Sequence, residues 1–328
     1  MKKIRLFNLT LLLISGLFTG CGSTGLYVTV TQPAEINLKD FDKISVGEIK
    51  GSGSGVLSAL SDLVRVVGGG ETKDSGSHKF SAELTQVLFE SKRFEVLDHE
   101  SLKTGFGQNN RTGNIALISG TISEYNYRED LTHKDVEKKD KKTGEVDTTR
   151  TYYREGIAKV SVSLRIVDLR TSKILATRKF DKSESAKESR KNLKPPRIDR
   201  SRLFEACRTQ IIRSFMRMIV PYTERVYISF ETDKKIPELE RGFRMVKLGN
   251  WDTALDIFQR VTETYPNSPL VHKAYYNLGL SYMYTDQFDQ ARTALEEAYA
   301  RKSEAKYLNA IKKLNARIKD TRRLEEQM

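Results

Sequence analysis

Shifted by 37 residues, the last third of the chain lies on itself: Gly242 falls on Gly279, Trp251 on Phe288, Ala254 on Ala291, Phe258 on Leu295 and Val261 on Ala298. A repeat of that length with apolar residues at helical spacing reads as stacked helix pairs, each needing its neighbour to bury an apolar face. The small Gly242 and Gly279 allow close helix approach, Ala254 and Ala291 let the second helix press on the first, and Trp251 and Phe288 fill the wedge between them. A loop around Pro266, Asn267, Ser268 and Pro269 separates the copies. Residues 304–326, with Tyr307, Leu308, Ile311, Leu314 and Ile318 on one side and charges elsewhere, suit a capping helix.

The repeat occupies too little of a 328-residue chain to be its only module. Upstream, residues 43–49 (KISVGEI), 115–127 (IALISGTISEYNY) and 157–168 (IAKVSVSLRIVD) alternate apolar and polar residues as half-buried strands do. The turn 168–173 (DLRTSK) and the run 174–180 (ILATRKF) predict a hairpin back onto the third of these. Apolar spacing from Phe80 to Ser91 predicts a helix, RFEVLD at 93–98 a short strand, and Leu203, Ile211, Ile212, Phe215 and Ile219 an amphipathic helix stopped by Pro221. Cys207 on that helix reads as a small buried residue. The glycine-rich stretches 51–55 and 68–77 bracket VLSALSDLVRVV and read as flexible loop; no Lys-Ser or Lys-Thr pair follows them, as a phosphate loop would require.

The first twenty residues carry Lys2, Lys3 and Arg5, then a short apolar run and small residues before Cys21, the pattern of a secretory signal. LFTGC at 17–21 resembles the bacterial lipobox, which implies that Cys21 is acylated and becomes the mature N-terminus. Several acyl chains on one residue anchor stably where one does not. Gly22 in place of Asp implies retention at the outer membrane, with the chain facing the periplasm.

The order KISVGEI, FSAELTQVLFESKRFEVLDHESL, ALISGTISEY and VSVSLRIVDLRTSKILATRKF, over about residues 40–220, is similar to the curli-assembly transport lipoproteins. The 37-residue repeat resembles the tetratricopeptide repeat. Together these imply an α+β chain: an α/β sandwich close to the anticodon-binding-like fold, with a mixed sheet and flanking helices, followed by an all-α repeat module. The expected division is a lipoprotein signal peptide at 1–20, a lipidated linker at 21–39, the α/β domain at 40–222, a linker at 223–236, and two repeats with their capping helix at 237–328. The repeat family's groove positions, carried onto this chain, are Phe243, Val246 and Lys247 in the first copy and Lys273, Tyr276, Leu280, Met283 and Tyr284 in the second. These are the expected contacts to periplasmic or outer-membrane proteins; the alternative is that most of them pack against the α/β domain or the capping helix. Assembly of identical copies is a further expectation of the first resemblance.

Pore-forming members of that family add two amphipathic hairpins. The corresponding stretches here, 128–150 and 181–202, carry charge at nearly every other place and read as solvated hairpin tips or disordered loops. The leading reading is therefore a non-catalytic adaptor, and the alternative a ring-forming secretion-channel subunit. Two cysteines and four scattered histidines, His78, His99, His133 and His272, supply no metal spacing and no disulfide scaffold. No cofactor motif and no nucleophile–base pair stands out. The net charge of +13 raises nucleic-acid binding, which export and the alternating signs of charge disfavour.

Overall fold

The structure, a computed structural model, describes residues 24–51, 76–105, 114–139 and 141–328. The signal peptide, Cys21 and residues 52–75, which hold the apolar stretch VLSALSDLVRVV, lie outside the described residues. The chain divides into two units: one holds the N-terminal strand up to Val30 with Thr223–Arg322, the other Thr31–Tyr222 with Arg323–Met328.

The second unit is built on a mixed five-stranded sheet. Strands β2 (Lys43–Lys50), β3 (Glu95–Leu97), β4 (Ile115–Lys139), β5 (Val146–Asp168) and β6 (Ile174–Lys191) lie in the order β3-β2-β4-β5-β6. β2 runs parallel to both neighbours, with Ile44 opposite Val96 and Ala116, while β4, β5 and β6 form an antiparallel meander. The parallel steps need crossovers, supplied by helix α1 (Ser77–Ser91) and the short α2 (His99–Gly105). Helix α3 (Arg200–Ile219) starts where Asp199 accepts hydrogen bonds from the amides of Ser201 and Arg202, and ends two residues before Pro221. Phe80, Leu84 and Leu88 of α1 and Cys207, Ile211 and Phe215 of α3 close over Ile44, Ile118, Val160, Val162 and Ile166. Each such large side chain contributes about 1.5–3 kcal/mol on burial. One polar tie runs through this core: buried Arg208 donates to Glu83 of α1 and, at 2.9 Å, to the phenol of Tyr125.

The charged stretches behave differently from the expectation. Residues 128–139, 146–156 and 181–191 continue the meander as a three-stranded ribbon, covered at its base by Pro195 and Ile198 and exposed toward its end; of the 128–150 insert, the described residues 141–145 remain as the tip. Thr148, Thr149, Thr151, Tyr152 and Tyr153 supply strand propensity. A bidentate pair from Arg150 to Asp135, at 2.7 and 2.6 Å, and the Arg154–Glu129 pair fasten β5 to β4.

The segments expected as linkers are also structured. β1 (Thr24–Gln32) and β7 (Tyr222–Phe230) pair as a two-stranded sheet. Within the α/β unit, the chain's last residues hold the start of that domain: the Gln327 side chain both accepts from and donates to the Ala34 backbone at 2.8 Å.

The helical unit contains α4 (Pro237–Lys247), α5 (Trp251–Thr264), α6 (Val271–Tyr284), α7 (Phe288–Arg301) and α8 (Ala305–Glu325), the last ending in the other unit. Pro237 opens α4 where no amide is needed, and Asn250 caps α5 by accepting from the Thr253 amide. A Cβ on Gly242 would stand 2.4 Å from the Phe258 ring, and one on Gly279 2.6 Å from Leu295. Both glycines are thus required by close helix approach. Ala254 and Ala291 are fully buried, and Tyr307, Ala310 and Leu314 bring α8 onto the stack as its cap.

Candidate functional site

The helical unit has two sides, and its own chain occupies one. Where β7 ends, Phe230 is fully buried among the rings of Phe243, Trp251 and Phe258, with centroids 5.6–6.5 Å away. The next residue is gripped by its backbone: the Glu231 amide donates to Asn277 Oδ1 at 2.8 Å, and Asn277 Nδ2 donates to the Glu231 carbonyl at 2.7 Å. Lys273 then holds Asp233 at 2.6 Å, keeping that carboxyl below the usual carboxylate range. Residues 230–236 thus form a strap laid across α4, α6 and α8, made by elements far apart in sequence.

Charge is concentrated beneath the strap. The Tyr307 hydroxyl donates to Glu231 Oε2 at 2.5 Å, so the Nδ1 of His272, 2.5 Å from the Tyr307 hydroxyl oxygen, is the donor of its bond to that phenol. Lys306 pairs with both Glu231 and Glu304. Burial pushes the Tyr307 phenol far above its ordinary value and holds His272 below 6.5, in its neutral form. Hydrogen bonds from Lys302 and Lys306 bring Glu304 down to about 2. Tyr307 is wholly buried in this His–Tyr–Glu chain and His272 nearly so. The physical effect of these bonds is to fix the strap.

The residues expected to face a partner separate accordingly. Phe243 and Val246 are core, packed where the strap enters, and Lys273 is committed to Asp233. Lys247 is exposed, its ammonium 5.0 Å above the Phe243 ring. Tyr276, Leu280, Met283 and Tyr284 line an inner recess of about 260 Å³ together with Tyr227, Ile228 and Lys313. Burial raises the Tyr276 phenol to about 12. Of the groove positions carried from the repeat family, Phe243 and Val246 are thus buried in the unit's own core and Lys273 is paired within the chain. The sequence reading missed Asn277 and Glu231; the available signal was a lone asparagine inside the apolar run YYNLGLSYM.

A second recess of about 400 Å³ lies on the outer side, over Leu278 and between α5, α6 and α7. Among the described residues, no group of three or more His, Cys, Asp or Glu is placed to hold a metal ion, and no helix is long and apolar enough to cross a membrane.

With this geometry in view, the comparisons with known proteins fall into place. A family model for the tetratricopeptide repeat matches residues 243–268 and 273–301, which span the C-terminal half of α4, all of α5, nearly all of α6, and α7. The helical unit is thus a tetratricopeptide module on an α+β chain; the match leaves the other unit unassigned. No curated protein matches the chain. Among solved structures, a PelC dodecamer from Paraburkholderia phytofirmans is 17% identical, covering 60% of this chain and 98% of its own, with a TM-score of 0.28. Lipoprotein GNA1162 from Neisseria meningitidis is 15% identical, covering 53% and 96%, with a TM-score of 0.21. At those TM-scores neither likeness fixes the role of this chain.

Proposed function

We propose that this chain is a lipoprotein anchored by Cys21 to the periplasmic face of the outer membrane, serving without catalysis as a docking adaptor in envelope or secretion-system assembly. The observation that carries the reading is the tetratricopeptide match on a helical unit that keeps an open inner recess beside its strap. Tyr276, Leu280, Met283 and Tyr284 would receive an apolar side chain of a partner protein there, and the resemblance of residues 17–21 to a lipobox supplies the anchor. The charged ribbon counts against a channel. Lys134, Asp135, Glu137, Lys138 and Lys139 stand within six residues of one strand, and a charge at the bilayer midplane costs about 2–4 kcal/mol for Lys or Arg. Fractionation tests the anchor: Cys21→Ala should move the chain from the outer-membrane pellet to the soluble periplasm. Continued tight sedimentation of that variant with outer membranes would contradict it.

A further inference from the structure

The outer recess has an unusual sign. In a chain of net charge +13, the charged residues that line it, Glu263, Asp289 and Glu297, are all acidic. Its floor and walls are apolar or aromatic: Leu278, Tyr275 and Tyr282. Among the described residues, neither Glu263 nor Asp289 is within ion-pair distance of a cation. One end of the recess already shows what it accepts. The Arg301 guanidinium lies 4.8 Å over the Tyr275 ring and 3.2 Å from Glu297, a cation held between an aromatic face and a carboxylate.

The complement is present on the ribbon. Lys134, Val136 and Lys138 alternate along β4 and so project from one face, an apolar side chain between two ammonium groups spanning about 14 Å at ~3.4 Å per residue. The register places Thr149 and Thr151 opposite Val136 and Lys134, and Lys191 beyond Thr151, so the surroundings stay basic, with Asp147 opposite Lys138 the exception. Val136 is 43% exposed on a strand with no core to bury it. An apolar floor between carboxylates and an apolar residue between lysines are complementary in both respects, whereas an acidic segment or an anionic polymer would be repelled by the recess.

We infer that the Lys134–Val136–Lys138 face of the ribbon of one copy docks in the outer recess of a second copy. Such a contact is heterologous, joining different surfaces, so it propagates to a closed ring or an open filament. Being carried largely by exposed charge, it weakens with salt.

Sedimentation velocity on the full chain carrying Cys21→Ala, which removes the anchor and makes the outcome independent of lipidation, reads this directly. Concentration-dependent association at low salt, weakened at high salt, is expected. The ribbon variant K134E/K138E and the recess variant E263K/D289K should each associate at least tenfold more weakly alone, and an equal mixture of the two should restore association, because each then offers the other a complementary surface. All four positions are exposed, and matched circular dichroism and melting curves check the fold. Mixed 14N/15N unsubstituted protein, joined by a zero-length carbodiimide linker, should give isotope-mixed crosslinks from Lys134 or Lys138 to Glu263 or Asp289, a readout that needs no variant. A monomer at low salt throughout, variants that associate like the parent, a mixture that stays apart, or crosslinks confined to other pairs would each overturn the inference.

Discussion

Replacing Asn277 with Ala tests whether the strap is held as described. The side chain makes two hydrogen bonds to the Glu231 backbone, at 2.8 and 2.7 Å, and is fully buried. Two such bonds contribute a net ~0.5–1.5 kcal/mol each, and truncation also leaves a backbone amide and a carbonyl unsatisfied, at ~1–3 kcal/mol per group. These overlap, and the expected loss is about 2–5 kcal/mol. Trp251 is the chain's one tryptophan and lies 6.5 Å from the Phe230 ring at the strap's root, so its fluorescence reports this unit. For a urea m-value of ~1.5 kcal/mol per molar, a 3 kcal/mol loss lowers the midpoint by about 2 M. Asn277→Asp keeps the acceptor for the Glu231 amide and removes the donor to its carbonyl, so it should still destabilise the unit. A loss below about 0.5 kcal/mol for Asn277→Ala would mean that the strap is held by something else.

Two further outcomes follow from the same unit. His272 has its folded-state value depressed by burial, so the unfolded chain binds more protons below about pH 6.5. Its contribution is present above that pH and is lost as pH falls; thermal melts should show the unit weakening from about pH 7 to 5.5, and His272→Gln should flatten that slope. Gly242→Ala places a methyl group 2.4 Å from Phe258, and overpacking of that kind costs about 1–3 kcal/mol, measured by the same urea titration. No measurable cost would show that α4 and α5 can separate freely.

Much of this architecture is legible from residue spacing, for a physical reason. Val160, Val162, Leu164 and Ile166 alternate because one face of β5 is buried, and Gly242 and Gly279 stand out because a helix crossing leaves no room for a Cβ there. What escapes the sequence has no buried face to announce it. The outer part of the ribbon, from Asp130 on β4, is largely exposed, so its strands show mainly threonine and tyrosine propensity among charges. β1 and β7 look like linkers because each is defined by a partner nearly two hundred residues away. A general repeat pattern does not reveal that this chain sets its own Phe230 against Phe243 and its own Asp233 against Lys273. Asn277 becomes meaningful only when the Glu231 backbone is seen against it.

The adaptor reading is tested most directly by a photo-crosslinking amino acid placed at position 284, on the rim of the inner recess, in intact cells. It predicts a discrete adduct with a second, different protein in the envelope fraction, lost when Leu280→Arg fills the recess. Absence of any adduct from position 284, in cells where the same group on the exposed ribbon does capture a protein, would contradict docking through the repeats.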